Sequence, residues 1–107
     1  MPALVKASKD CIDVEEVKNA IQANKKVLII DVRSKEEYER AHIPNALNIS
    51  IDELKRTVLP LDRAYQYITV CGKGGGRSAD GAKLLRALGL NAIWLCGGTY
   101  KWLSLND

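Results

Sequence analysis

The sequence offers no long apolar stretch. Runs such as Val27-Leu-Ile-Ile30 fall far short of the about 20 residues that a bilayer-spanning helix needs. Its first residues, Met1-Pro-Ala-Leu-Val-Lys6, also lack the sustained hydrophobic segment of a secretory leader. Cysteine is scarce and odd in number, at positions 11, 71 and 96, and no two stand in a C-x-x-C pair. The single histidine, His42, has no cysteine close by in sequence. These shortages argue against a disulfide scaffold and against a zinc knuckle, so three reduced thiols in a cytoplasmic protein are expected. Charge of one sign is missing as well. The net charge is +3, with 16 basic residues scattered among 13 acidic ones rather than gathered into a stripe. Neither nucleic acid nor a membrane is therefore an expected partner. Nor is there an internal repeat, a low-complexity tract or a linker. A single monomeric domain over residues 1–107, with its core at about 11–103, is expected.

What is present is an alternation of helix and strand signals. Asp13-Val-Glu-Glu16 reads as a helix start, with Val14, Val17, Ala20 and Ile21 on one face and Asn24 as a stop. Val27-Leu-Ile-Ile-Asp-Val32 shows no polar alternation before Asp31, as in a strand buried on both faces of a parallel sheet. Ser34-Lys-Glu-Glu37 is a capping box opening a short helix to about Arg40. After Pro44, Ala46-Leu-Asn-Ile49 predicts a short strand and Ser50-Ile-Asp-Glu-Leu54 a helical turn. Pro60 falls in the connection to a strand at 66–71. Gly81, Leu84, Leu85 and Leu88 recur at helical spacing from Arg77 onward, with Gly89 as a C-cap. Ala92-Ile-Trp-Leu95 predicts the last strand, and Trp102 lies on a short terminal helix. Such alternation implies a parallel sheet with helices on both faces and a ligand site beyond the carboxyl ends of its strands.

Cys71 stands at such an end. It follows Tyr65-Gln-Tyr-Ile-Thr-Val70 and opens the segment Gly72, Lys73, Gly74, Gly75, Gly76, Arg77 and Ser78, where a helix begins. Amide hydrogens of a glycine loop and the positive end of a helix dipole favour a thiolate over a thiol at this position. Four glycines within five positions cost backbone entropy, and a plain turn has no need of them. A main chain that curls closely around an anion does. Arg77 opposes the dipole of the helix it opens, and binding an oxyanion beside Cys71 explains its placement. Lys73 adds charge to the same loop.

Two nucleotide patterns fail here. Gly74-x-Gly76-x-x-Ala79 fits a loose dinucleotide fingerprint, yet Leu95-Cys96 occupies the place where an acid should follow. No Gly-Lys is followed by Ser or Thr, so the Walker pattern is absent. Asp31 and Arg33 suit an ion pair that ties down neighbouring loops. His42 suits a structural hydrogen bond, and Trp94 and Trp102 suit the core. Cys96, at another strand end, is either structural or a resolving thiol.

Together these segments resemble the rhodanese family. Asp31-Val-Arg33, Glu37-Tyr38 and His42-Ile-Pro44-x-Ala46-x-Asn48-Ile49 are similar to its first signature. Cys71 with its glycine loop and Arg77-Ser78 is similar to its active-site loop, and Leu95-x-Gly97-Gly98-x-x-x-Trp102 to its closing motif. The resemblance runs from about Cys11 to Trp102. It implies a three-layer α/β/α domain with a central parallel sheet and Cys71 as a sulfur-carrying nucleophile. It further implies a thiosulfate-like or persulfide donor, a thiol (possible on another protein) or cyanide acceptor, and neither metal nor organic cofactor.

One departure stands out. Five residues, Gly72 to Gly76, separate Cys71 from Arg77, where the usual sulfur-transferring loop has four. A Cys-x5-Arg loop is the length found in related phosphatases and arsenate reductases of this fold, so that chemistry is the alternative. Those relatives usually carry histidine before the cysteine, whereas Val70 stands here, and the loop contains no acid. A non-catalytic binding module is the third reading.

Overall fold

The computed structural model describes residues 10–56 and 62–105. Met1–Lys6 and Pro60, which entered the reading above, lie outside the described residues. Among the described residues there are five strands: β1 (Cys11–Ile12), β2 (Val27–Asp31), β3 (Leu47–Asn48), β4 (Gln66–Val70) and β5 (Asn91–Leu95). They form one sheet in the order β1-β5-β4-β2-β3, with every pairing parallel. The helices are α1 (Val14–Gln22), α2 (Lys35–Arg40), α3 (Ile51–Arg56), α4 (Gly76–Ala87) and α5 (Gly98–Ser104).

Parallel strands need crossovers, and here the helices supply them on both faces. Val14 and Val17 of α1, Tyr38 of α2 and Trp102 of α5 pack with Ile29, Ile68, Val70, Ile93 and Leu95 on one face. Ile51 and Leu54 of α3 with Ala82, Leu84 and Leu85 of α4 pack with Ile30, Tyr67 and Ala92 on the other. Successive residues of β4 enter opposite clusters because side chains alternate along a strand. All five of its residues are buried, as a central strand covered on both sides requires. The three-layer α/β/α arrangement expected from the pattern is the one observed.

The helix ends show which local signals were sufficient. Ser34 closes a complete capping box, its Oγ accepting from Glu37 N at 3.2 Å while Ser34 N donates to Glu37 Oε1 at 3.2 Å. Asp13 is the N-cap of α1, yet its side chain makes no capping hydrogen bond. Leu88 rather than Gly89 caps α4, and Gly89 follows in the left-handed region at φ +85°.

Two features depart from expectation. The edge strand β1 is only two residues long, too short to show a period of its own. It pairs Cys11 with Trp94 and Ile12 with Leu95. That pairing brings together Cys11 and Cys96, 85 residues apart, with Cα atoms separated by 5.2 Å, and the two form a disulfide. The expectation of three reduced thiols is therefore corrected: only Cys71 is free. Neither spacing nor count can show such a pair, because the register of an edge strand sets it.

Candidate active site

Cys71 lies one residue beyond β4, buried to 5% exposure, at the mouth of the loop that enters α4. Its Sγ sits 3.2 Å from Ser78 Oγ and 3.3 Å from the Gly75 carbonyl oxygen. Ser78 is itself fully buried, with its hydroxyl donating to Gly75 O at 2.8 Å. A hydroxyl hydrogen rotates to suit its surroundings, so Ser78 can turn from that carbonyl toward a negatively charged sulfur. Thr69 of β4 donates from Oγ1 to Ser78 O at 2.7 Å and so pins the first turn of α4 to the strand that delivers Cys71.

The loop is held from the far side by the turn into α5. Thr99 N donates to Cys71 O at 2.8 Å, and Tyr100 N donates to Gly72 O at 3.1 Å. Such bonds require the two backbones to touch. A Cβ on Gly98 would lie 2.5 Å from Cys71 O and 2.7 Å from Gly74 N, and Gly98 has φ +65°. Gly98 is thus required by both space and conformation. Gly75 and Gly76, by contrast, would meet nothing within 4 Å if given a Cβ, so the loop is open on that side.

Arg77 points along the surface and grips Glu37 of α2 with both arms, Nη1 to Oε1 at 2.8 Å and Nη2 to Oε2 at 3.1 Å. The Arg77 guanidinium, joined by the Ser34 capping bonds, holds the Glu37 carboxyl down at about 2 against the pull of partial burial. Arg77 in turn is raised above its ordinary value by Glu37. Lys73 is exposed on the loop. Sequence reasoning used Glu37 as a cap and a motif residue but missed it as the partner of Arg77. It missed Tyr100 too, whose half-exposed ring would lie 3.0 Å from a Cβ on Gly72. Nothing in the local pattern signals either contact.

Asp31 and Arg33 form a buried ion pair, Nε to Oδ1 at 2.9 Å and Nη2 to Oδ2 at 2.9 Å. Arg33 also donates to Ala41 O at 2.7 Å, and Asn48 Nδ2 donates to the carbonyl oxygens of Asp31 and Arg33 at 3.1 and 3.0 Å. The pair therefore ties the end of β2 to the end of α2 and to β3. His42 stacks on Tyr38 at 3.8 Å between ring centroids, and its Nδ1 lies 2.8 Å from Tyr38 O. It takes that structural role, and the hydrogen-bond partners of Cys71 are Ser78 and Gly75 instead.

The parallel sheet thus presents a free thiol, Cys71, at the start of a glycine loop that leads into a helix. The family follows from comparison: the Rhodanese-like domain model matches residues 13–105, and the chain belongs to that family. YtwF of Bacillus subtilis, a protein provisionally named a sulfurtransferase, is 30% identical over 91 residues, covering 85% of this chain and 87% of that protein. YrkF of the same organism, provisionally named a sulfur carrier protein, is 29% identical over 82 residues, covering 77% of this chain and 44% of its own length. A rhodanese-related protein from Thermoplasma volcanium superposes with a TM-score of 0.79 at 30% identity, covering 92% of this chain and 94% of that one.

Proposed function

We propose that this domain is a sulfurtransferase that carries sulfane sulfur as a persulfide on Cys71. The carrying observation is the sulfur's setting: Cys71 is the free cysteine of the described residues, at 3.2 Å from the Ser78 hydroxyl in a loop open on its Gly75–Gly76 side. The Cys71 thiolate attacks the outer sulfur of an anionic donor such as thiosulfate, the S–S bond of the donor breaks, and sulfite departs with the electron pair. In this reading the loop amides and the Ser78 hydroxyl, groups suited to a negative charge, hold the outer sulfur. A thiol, on a small molecule or on a protein, or cyanide then attacks that sulfur, and Cys71 leaves as the thiolate.

Gly72, Lys73, Gly74, Gly75, Gly76, Arg77 and Ser78 form the donor-binding loop in this reading. The Cys-x5-Arg length alone supports phosphatase or arsenate reductase chemistry. Val70 in the place of a histidine before Cys71, and the lack of an acid within the loop, weigh against that chemistry. The domain acts as a monomer in the cytoplasm, where a disulfide such as Cys11–Cys96 would be redox-active rather than permanent.

Mass spectrometry after exposure to thiosulfate tests the reading. A gain of one sulfur mass at Cys71, released by cyanide and absent from Cys71→Ser, is expected. Arsenate turnover or phosphate-ester cleavage without sulfur uptake would establish the alternative instead. Inertness toward all three would make the domain a binding module.

A further inference from the structure

Cys11 and Cys71 lie on one face of the sheet, and the disulfide holds Cys96 against Cys11. Trp94 of β5 is in register with Cys11 of β1 on one side and with Thr69 of β4 on the other. Thr69 bonds α4 through Ser78, and Cys71 and Trp94 belong to the α4-side cluster. Ile12, Val70 and Leu95 belong to the opposite cluster. Alternation therefore assigns Cys11, Cys71 and Trp94 to the α4 face. Cys71 and Cys96 each follow directly on the last residue of β4 and β5, two residues beyond that aligned pair of neighbouring strands. Cys96 then leads through Gly97 into Gly98 and Thr99, the residues pressed against Cys71 O. Both Cys11 and Cys96 are half-buried, not sealed in the core.

From this arrangement we infer that Cys11 and Cys96 are a dithiol–disulfide couple that discharges the Cys71 persulfide as sulfide. The inference rests on the proposed Cys71 persulfide. In the reduced couple, the Cys96 thiolate attacks the outer sulfur, the Cys71–sulfur bond breaks, and Cys71 leaves as the thiolate its loop accommodates. Cys96 now bears the persulfide. The Cys11 thiolate attacks Cys96 Sγ, forming the Cys11–Cys96 disulfide and expelling hydrosulfide. The sulfane sulfur gains two electrons and the dithiol loses two; of the two thiol protons, one leaves with the hydrosulfide and the other goes to solvent. An external dithiol restores the couple by thiol–disulfide exchange. With the couple oxidised, as in this structure, the persulfide has no internal reductant and survives for an external acceptor. The redox state of Cys11 and Cys96 thus chooses between delivery of sulfane sulfur and release of sulfide.

The test uses the full chain in two forms, fully reduced and with the Cys11–Cys96 disulfide formed. Each is given one equivalent of thiosulfate without air and followed by intact mass and by sulfide assay. The oxidised form is expected to keep the added sulfur mass. The reduced form should lose it at least tenfold faster, at a rate independent of protein concentration, with one equivalent of sulfide released and two hydrogens lost. Cys11→Ser should retain the added sulfur and release no sulfide. Equal persulfide lifetimes in the two wild-type forms, or sulfide release from Cys11→Ser, would overturn the couple while leaving the Cys71 persulfide intact. Failure of the oxidised form to gain sulfur at all would instead overturn the Cys71 reading, and this inference with it.

Discussion

Arg33 and Arg77 each hold a carboxylate through two guanidinium nitrogens, but in different surroundings. The side chains of Arg33 and Asp31 are 2% and 0% exposed, whereas those of Arg77 and Glu37 are 48% and 31% exposed. Removing water from two charges is expensive, and the inner pair is compensated by further bonds, Arg33 N to Asp31 Oδ1 and Arg33 Nη2 to Ala41 O, with Asn48 bonded to its backbone. It is an all-or-none joint between β2, α2 and β3. The outer pair gives up little solvation, gains little energy and competes with dissolved ions. Such a bond can yield to a ligand. The same chemical contact therefore serves as a fixed joint where it is dry and as an exchangeable one where it is wet, beside the loop.

The largest test of this contrast is Asp31→Ala, which strands the Arg33 guanidinium in the interior. A loss of about 3–5 kcal/mol in urea unfolding is expected, little changed by salt. A loss below about 1 kcal/mol would mean that the inner pair is no joint at all. Next in size is Arg77→Ala. It should raise the KM for thiosulfate about tenfold, about 1.4 kcal/mol of binding, and leave the cyanide discharge of a preformed persulfide almost unchanged. The opposite partition in single-turnover kinetics would place Arg77 in the transfer step.

Ser34→Ala removes the hydroxyl that accepts from Glu37 N and helps orient the carboxylate. A cost of about 1 kcal/mol is expected from the lost cap, seen as a lower urea midpoint with an unchanged slope. The smallest effect should come from Glu37→Gln, which breaks the outer pair at a cost below about 1 kcal/mol. Its pH dependence carries the sign. The folded carboxyl is held at about 2, below its ordinary 4.5, so its contribution is present above 4.5 and is lost as pH falls toward 2. The stability difference between wild type and Glu37→Gln should shrink through that window and shrink again in high salt. A difference that persists at pH 2 would show that packing, not charge, links Glu37 to Arg77. Freed of Glu37, Arg77 should also bind thiosulfate more tightly, lowering KM a few-fold.

By itself the sequence determined what depends on near neighbours along the chain. Ser34 and Glu37 make a capping box because three residues separate them, wherever that helix ends up. The unbroken apolar run of β2 announced burial on both faces, and Cys71 before its glycines announced a thiol on a helix N-terminus. Those signals, with the ordered motifs, were enough for the fold and the family. The tertiary structure alone decided which distant groups meet. Glu37 reaches Arg77 across 40 residues, and Cys11 reaches Cys96 across 85. Tyr100 covers Gly72 only because α5 turns back over the loop. Local patterns are set by backbone geometry repeating every two or 3.6 residues, whereas these contacts depend on strand order and register. A two-residue edge strand such as β1 carries too little pattern to reveal either.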